Sequence, residues 1–310
     1  MIKDKVFGFI KSQPQFVILA LLIIVLSATT PKFASAANFI NILKQVSVIS
    51  IISCGLTLVV ISGSLDLSIG SVFSLLSVVA VTMQTKNILF ALLLPVAFAV
   101  AIGLFNGLII TLFEINSIIV TLGSLSVFAG LALIYTNGGI VLAQADTWYS
   151  IISKGKVLGI PINVLIFIFI AVLYELILKK TSFGRKLVYM GSNHDAAMIV
   201  GIRTGVIKTI AFIISSVSVA ISSIILSSRL LSASPVSGIG FEFDAITAVV
   251  IGGTSLRGGT GSIYNTIIGV LLLAIIINAL TLYNIPYAFQ NISKGLLIIL
   301  AITADVRGRG

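Results

Sequence analysis

The chain has 310 residues, of which 58% are hydrophobic and only 9% charged, and its mean hydropathy is +1.22. Soluble domains carry roughly 25% charged residues, so a soluble globular protein is excluded and a single membrane domain, all-α and polytopic over residues 1–310, is expected. The net charge of +10 comes from basic residues scattered between apolar runs, which is the distribution of cytoplasmic membrane loops and not of a nucleic-acid-binding face.

The first apolar run is Phe16–Ala28, preceded by Lys3, Lys5 and Lys11. Lysines ahead of a first span place the N-terminus in the cytoplasm. The triplet Ala34-Ser35-Ala36 resembles a signal-peptidase site, so a cleaved leader is the alternative to a retained span. Ile42–Ile61 and Leu67–Met83 read as the second and third spans. Cys54 lies in the second; with one cysteine and one histidine, His194, neither a disulfide framework nor a Cys/His metal site can be built.

Between these two spans lies a polar island, Ser62-Gly63-Ser64-Leu65-Asp66-Leu67-Ser68-Ile69-Gly70. A bare carboxylate at mid-depth in lipid costs at least ~2.5 kcal/mol. Glycines there loosen a helix, and the freed backbone groups must be satisfied by protein or by a water-filled path. The island is either a solvated turn or a helix break lining such a path, with Gly63 and Gly70 as the breaking residues.

Ile88–Phe113 and Ile118–Tyr135 continue the series, separated by Glu114-Ile115-Asn116. Small residues of the latter, Gly123, Ala129 and Gly130, permit close helix approach. Asn137–Gly159 is the longest polar excursion; it includes Asp146, and its Trp148 and Tyr149 suit an interfacial belt. Pro161–Leu178 spans back. Residues 179–208 then carry six basic side chains and form the expected cytoplasmic loop. Inside it, Ser192 and Asp195 have capping-box-like spacing, a helix Asn193–Val200 follows, and Gly201 fits as its stop. Such a helix has little core of its own: it lies on the membrane surface or docks into a partner.

Thr209–Leu231 is a serine-rich span. Ala245–Gly252 is apolar but too short to cross unaided, and it runs into Gly253-Thr254-Ser255-Leu256-Arg257-Gly258-Gly259. Here Gly252, Gly253, Gly258 and Gly259 are expected to break a second helix over 252–262. Ile263–Tyr283 and Ala288–Ala304 complete about ten spans, with a basic tail, Asp305 to Arg309, that puts the C-terminus in the cytoplasm as well. The run Val59–Ser64 echoes Val249–Thr254, the kind of internal repeat common in transporters with discontinuous helices.

Several chemistries fall away. The frame from Gly253 to Gly258 has the glycine spacing of a phosphate loop, but Gly259 stands where the phosphate-reaching lysine belongs. Acidic pairs for hydrolysis are not apparent, and a lone histidine in a cytoplasmic loop does not make a membrane-buried triad. No cofactor is implied.

Gly63–Ser68, Asn106-Gly107 with Ile119–Gly123, Phe183-Gly184-Arg185, Gly191–Ala197 with Gly201-Ile202, Glu242–Ile246 and Gly252–Leu256 stand in an order that resembles the permease subunits of carbohydrate-uptake ABC importers, the ribose/xylose type. Ser64 occupies a glycine-type position and Arg257 one where the family often has a small residue. The resemblance implies a homodimer or heterodimer with a second permease subunit, cytoplasmic ABC ATPase subunits that bind the ATP, and an extracytoplasmic sugar-binding protein. It also implies that the capped helix is a coupling helix docked on the ATPase through Asn193, Asp195, Ala196, Ala197 and Gly201. A neutral sugar needs hydrogen-bonding groups without a counter-charge, and Asp66, Ser68, Asn106, Thr121, Asn278 and Gln290 are the expected path residues. An ion-coupled secondary transporter of a small polar solute is the rival reading, because ionisable groups within spans mark that class.

Overall fold

In the computed structural model, residues 14–30, 32–144 and 148–307 are described. Lys3, Lys5, Lys11, Asp146 and the last residues of the basic tail lie outside them. The chain is helical almost throughout. The first five helices are α1 (Pro14–Thr29), α2 (Ala36–Ile61), α3 (Ile69–Met83), α4 (Ile88–Leu112) and α5 (Ser117–Thr136). After a two-residue strand β1 (Val141–Leu142) come α6 (Trp148–Lys154), the hairpin β2 (Lys156–Val157) and β3 (Ile160–Pro161), and α7 (Ile162–Lys180). Two short helices, α8 (Ser182–Ser192) and α9 (His194–Ile199), precede α10 (Thr204–Leu230), β4 (Ser232–Ala233), α11 (Phe241–Ile251), α12 (Ile263–Leu282) and α13 (Tyr287–Arg307). Six of them, α2, α4, α5, α7, α10 and α12, are long and apolar enough to cross a membrane. The strands are a small departure from an all-helical chain. β1 pairs antiparallel with β4, Val141 opposite Ala233, and so clips together the connections that follow α5 and α10.

The centre of the bundle is α10, packed on α2, α3 and α4. Its serines explain how helices come so close there. Gly55 of α2 approaches α10 until a Cβ would lie 2.5 Å from the Ser218 hydroxyl, and Gly103 of α4 brings its backbone against Phe212 and Ile213. Small residues at such crossings let backbones meet without lipid between them. Three serine hydroxyls in α10 bond their own helix, Ser218 to Ile214, Ser223 to Ala220 and Ser227 to Ser223, while Ser222 reaches the Val48 carbonyl at 3.1 Å.

α1 covers α12 through Leu19, Leu22, Ile23 and Leu26. The triplet Ala34-Ser35-Ala36 leads into α2, with Ser35 as its N-cap, its hydroxyl accepting from the Asn38 amide at 3.3 Å.

Candidate functional site

The polar island joins α2 to α3. α2 ends with Ser62 helical and Gly63 at φ +75°, and the Gly63 and Ser64 amides donate back to the Val60 and Val59 carbonyls at 2.9 and 3.2 Å. This glycine-terminated geometry satisfies the carbonyls a helix end leaves orphaned. The solvated-turn alternative is overturned: Asp66 is 2% exposed and Ser68 1%. One carboxylate oxygen of Asp66 accepts from the Ser68 amide at 2.9 Å and the Ser68 hydroxyl at 2.6 Å. Asn106 of α4 donates to the same hydroxyl at 3.2 Å and accepts from Ser124 of α5 at 2.5 Å. The Leu65 amide donates to Ser117 at 3.0 Å, and the Thr121 hydroxyl lies 3.5 Å from the Leu65 carbonyl. Asp66, Ser68, Asn106 and Ser124 therefore form one buried chain of hydrogen bonds from the first break through α4 to α5, and Thr121, bonded to its own helix at Ser117, touches the break only at the Leu65 carbonyl.

Asn278 and Gln290 do not join it. Asn278 exchanges paired amide hydrogen bonds with Asn38 of α2 at 3.0 and 2.9 Å, fastening α12 to the start of α2. Gln290 donates to the Ile285 carbonyl at the start of α13.

The second break repeats the first. Gly252 is helical at φ −66° and Gly253 turns to φ +84°; the Gly253 and Thr254 amides return to the Val250 and Val249 carbonyls at 2.8 and 3.1 Å. The sequence echo is thus a repeated helix terminator. Gly258 and Gly259 also have positive φ, at +91° and +78°. Two expected breaking residues act otherwise. Gly252 caps α11 in helical conformation and is small because α12 passes 2.6 Å from where its Cβ would be. Gly70 sits within the first turn of α3, where it lets the Gly238 carbonyl and the Glu242 carboxylate approach its backbone.

On the basic loop, α9 is capped by Asn193, whose side-chain oxygen accepts from the Ala196 amide at 2.9 Å. This corrects the expected Ser192 cap: Ser192 closes α8 by donating to the Val188 carbonyl, and Asn193 has the extended backbone that a cap requires. Gly201 stops α9 at φ +79°, with the Ile202 amide returning to the Ala197 carbonyl at 3.0 Å. Asp195 and Ala196 are exposed, whereas Ala197 is buried at 3%. Ile199 and Val200 are 86% and 74% exposed. Sequence spacing overlooked these apolar surface residues, although they sit beside the cap it did detect. A cavity of about 820 Å³ connects this loop to the first break: Ser62, Gly63 and Ser64 line it on one side, His194, Asp195 and Met198 on another.

Two further features escaped the sequence. The connection from β4 to α11 is latched to α3: the Gly238 amide donates to the Ser74 hydroxyl at 2.9 Å, and that hydroxyl donates to the Gly70 carbonyl at 3.0 Å. Beside it, Glu242 is 6% exposed with one carboxylate oxygen unpartnered. Two residues on, Asp244 pairs with Lys294 of α13 at 2.9 Å. The acidic first turn of α11 was the available signal, since carboxylates favour helix N-termini. Among the described residues, no group of three or more His, Cys, Asp or Glu side chains could hold a metal ion.

Comparison with known proteins adds a second line. Residues 38–302 match the family described as branched-chain amino acid transport system / permease component. The chain is similar to the ribose import permease protein of Haemophilus influenzae, 37% identical over 303 residues that cover 96% of this chain and 94% of the relative. It is 35% identical to the Bacillus subtilis ribose import permease protein over 301 residues, again 96% and 94%. It is 32% identical to the L-arabinose transport system permease protein of Escherichia coli over 302 residues, covering 96% and 92%. No solved structure matches.

Proposed function

The chain belongs to the branched-chain amino acid transport system / permease component family as the multi-pass inner-membrane permease of an ABC sugar importer, and from that premise we propose that it carries a ribose-like monosaccharide into the cytoplasm without an ATPase site of its own. Near-full-length similarity to ribose import permeases is the observation that carries this reading. The chain crosses the membrane about ten times with both termini cytoplasmic, in keeping with the basic content of residues 179–208.

Energy reaches the permease through contact. The ATP is bound by cytoplasmic ATPase subunits; a sugar-binding protein delivers cargo at the outer face, and a second permease subunit completes the membrane assembly. The ATPase docks on α9, whose Asn193 cap and Gly201 stop keep it rigid enough to pass on a tilt. The shared cavity between α9 and the first helix break supports that route, because a shift of α9 changes a wall of the same space that Ser62 and Ser64 line. Asp66, Ser68, Asn106 and Thr121 hold the α3–α4–α5 side of the path. Nucleotide state then biases inward or outward facing by differential affinity for the two states.

The test is uptake of radiolabelled D-ribose by proteoliposomes holding the permease with its cognate ATPase and binding protein. Uptake that requires both partners and ATP is expected. Accumulation by the permease alone under a proton or sodium gradient would replace this reading with the ion-coupled one.

A further inference from the structure

A cavity of about 200 Å³ lies among α2, α10, α11, α12 and α13. Most of its wall is aliphatic, and the exceptions are Gln45, Arg229, Phe241, Asp244 and Lys294. Asp244 and Lys294 form their 2.9 Å pair inside it. Arg229, in the last turn of α10, has no ion pair or hydrogen bond among the described residues, and neither has the side chain of Gln45. An unpaired cation facing an apolar cavity is unfavourable unless something polar joins it. By contrast, Asp66, Ser68 and Asn106 beside the first break already bond to one another.

We propose that this cavity is a binding subsite for a single pentose. A sugar ring carries hydroxyls that must both donate and accept, and a C–H face that prefers an apolar surface. Asp244 supplies acceptor oxygens; Arg229, Lys294 and the Gln45 amide supply donors. The Phe241 ring supplies the flat apolar face. Sites for drug-sized ligands run roughly 300–1,000 Å³, so this smaller space takes one sugar ring and excludes a disaccharide. A phosphate, whether free or on a lipid headgroup, would be drawn by Arg229 and Lys294 but repelled by the Asp244 carboxylate that already holds Lys294. That opposition favours a neutral polyol over an anion. The first turn of α11 thus serves two neighbours: Glu242 faces the Gly70 latch, and Phe241 and Asp244 face the cavity. The inference rests on the sugar-import reading and names where the cargo pauses.

The experiment is photolabelling of the purified permease in phosphatidylcholine nanodiscs with a diazirine-bearing pentose, mapped by peptide mass spectrometry. Label is expected on the segments carrying Gln45, Arg229 or Phe241 to Asp244, competed by excess D-ribose. In Arg229→Gln, which removes no ion pair or hydrogen bond among the described residues, labelling should fall about tenfold, the loss of one charge-assisted hydrogen bond. Arg229→Lys should keep most of it. Label concentrated near Asp66, label that ribose does not compete, or competition by phosphatidylglycerol or inorganic phosphate in place of ribose would each overturn the subsite. Uptake by the complete transporter separates the two levels. Ribose uptake unaffected by Arg229→Gln overturns the subsite alone, whereas no ribose uptake by the unaltered complex overturns the import reading beneath it. Should Arg229→Gln fail to fold, ribose competition against the unaltered protein still decides.

Discussion

The Gly259 amide donates to the Ile61 carbonyl at 2.9 Å, tying the second helix break to the end of the first. Gly191, at the end of α8, lies against the same bond, and Gly258 packs on Gly63. Three segments far apart in the chain meet there backbone to backbone, with no side chain between them to yield. A Cβ on Gly191 would fall on the Ile61 oxygen and 2.5 Å from the Gly259 nitrogen. Gly191→Ala is therefore expected to destabilise the permease by about 1–3 kcal/mol, the usual cost of overpacking. The check is the denaturation midpoint in detergent. Gly123→Ala, inside α5 at a position with nothing nearby, is the control and should not lower it.

Asp66 holds the first break through Ser68, and Ser68 holds Asn106. Asp66→Leu leaves the Ser68 amide and hydroxyl without their buried acceptor, at about 1–3 kcal/mol. Asp66→Asn keeps one acceptor oxygen and should lose less. Ribose uptake by the assembled transporter is expected to rank unaltered protein, then Asp66→Asn, then Asp66→Leu, with the expression level of membrane-inserted protein as the comparison. Equal uptake by all three would remove Asp66 from any part in transport.

Gly70 and Gly238 make the other close approach. In Gly70→Ala the new methyl would meet the Glu242 carboxylate and lie 2.6 Å from the Gly238 oxygen. The cheaper relief is to lift the 234–240 connection away from α3, because the hydrogen bond that holds it there is a single one, to the Ser74 hydroxyl. Maleimide labelling of Ser237→Cys, in a Cys54→Ser background, is expected to be faster with Gly70→Ala than without it. An unchanged rate would show that α3 itself moves and the latch stays shut.

The apolar runs were legible because lipid leaves few alternatives: helices must satisfy their backbone internally, and length and hydropathy reveal them. Hence Phe16–Ala28 became α1 and Ile263–Tyr283 became α12 within a few residues. The terminators at Gly63, Gly201 and Gly253 were legible because a left-handed helix end selects glycine. Contacts between distant segments were not. Asn278 reads as a polar residue in a span, and only the fold shows Asn38, 240 positions away, as its partner. The neighbours of Glu242 and Arg229 come from other helices, which no local spacing reveals. Gly70 looked like a break for the same reason: a glycine needed for close approach and one needed for positive φ are the same letter.

The last expectation separates docking from folding on α9. Ala197 is buried at 3% and belongs to the same core as Leu187 and Met190 of α8, while Ala196 and Ile199 face outward. Bulk at Ala197 should therefore act on the fold, and a charge at Ile199 on the partner. Ala197→Trp is expected to lower the denaturation midpoint by an amount equivalent to about 1–3 kcal/mol. Ile199→Glu should leave the midpoint unchanged, because an 86% exposed side chain has little contact to lose. In the assembled transporter Ile199→Glu should weaken ATPase binding and reduce ribose carried per ATP hydrolysed, since a carboxylate set into an apolar interface loses its water without gaining a partner. The measurements are the midpoint of each variant alone, co-purification of the ATPase, and the ratio of uptake to hydrolysis. If Ile199→Glu leaves both ATPase binding and that ratio intact, the outward face of α9 is not where the ATPase docks, and the exposed Met198, Ile199 and Val200 cluster is left to the membrane surface.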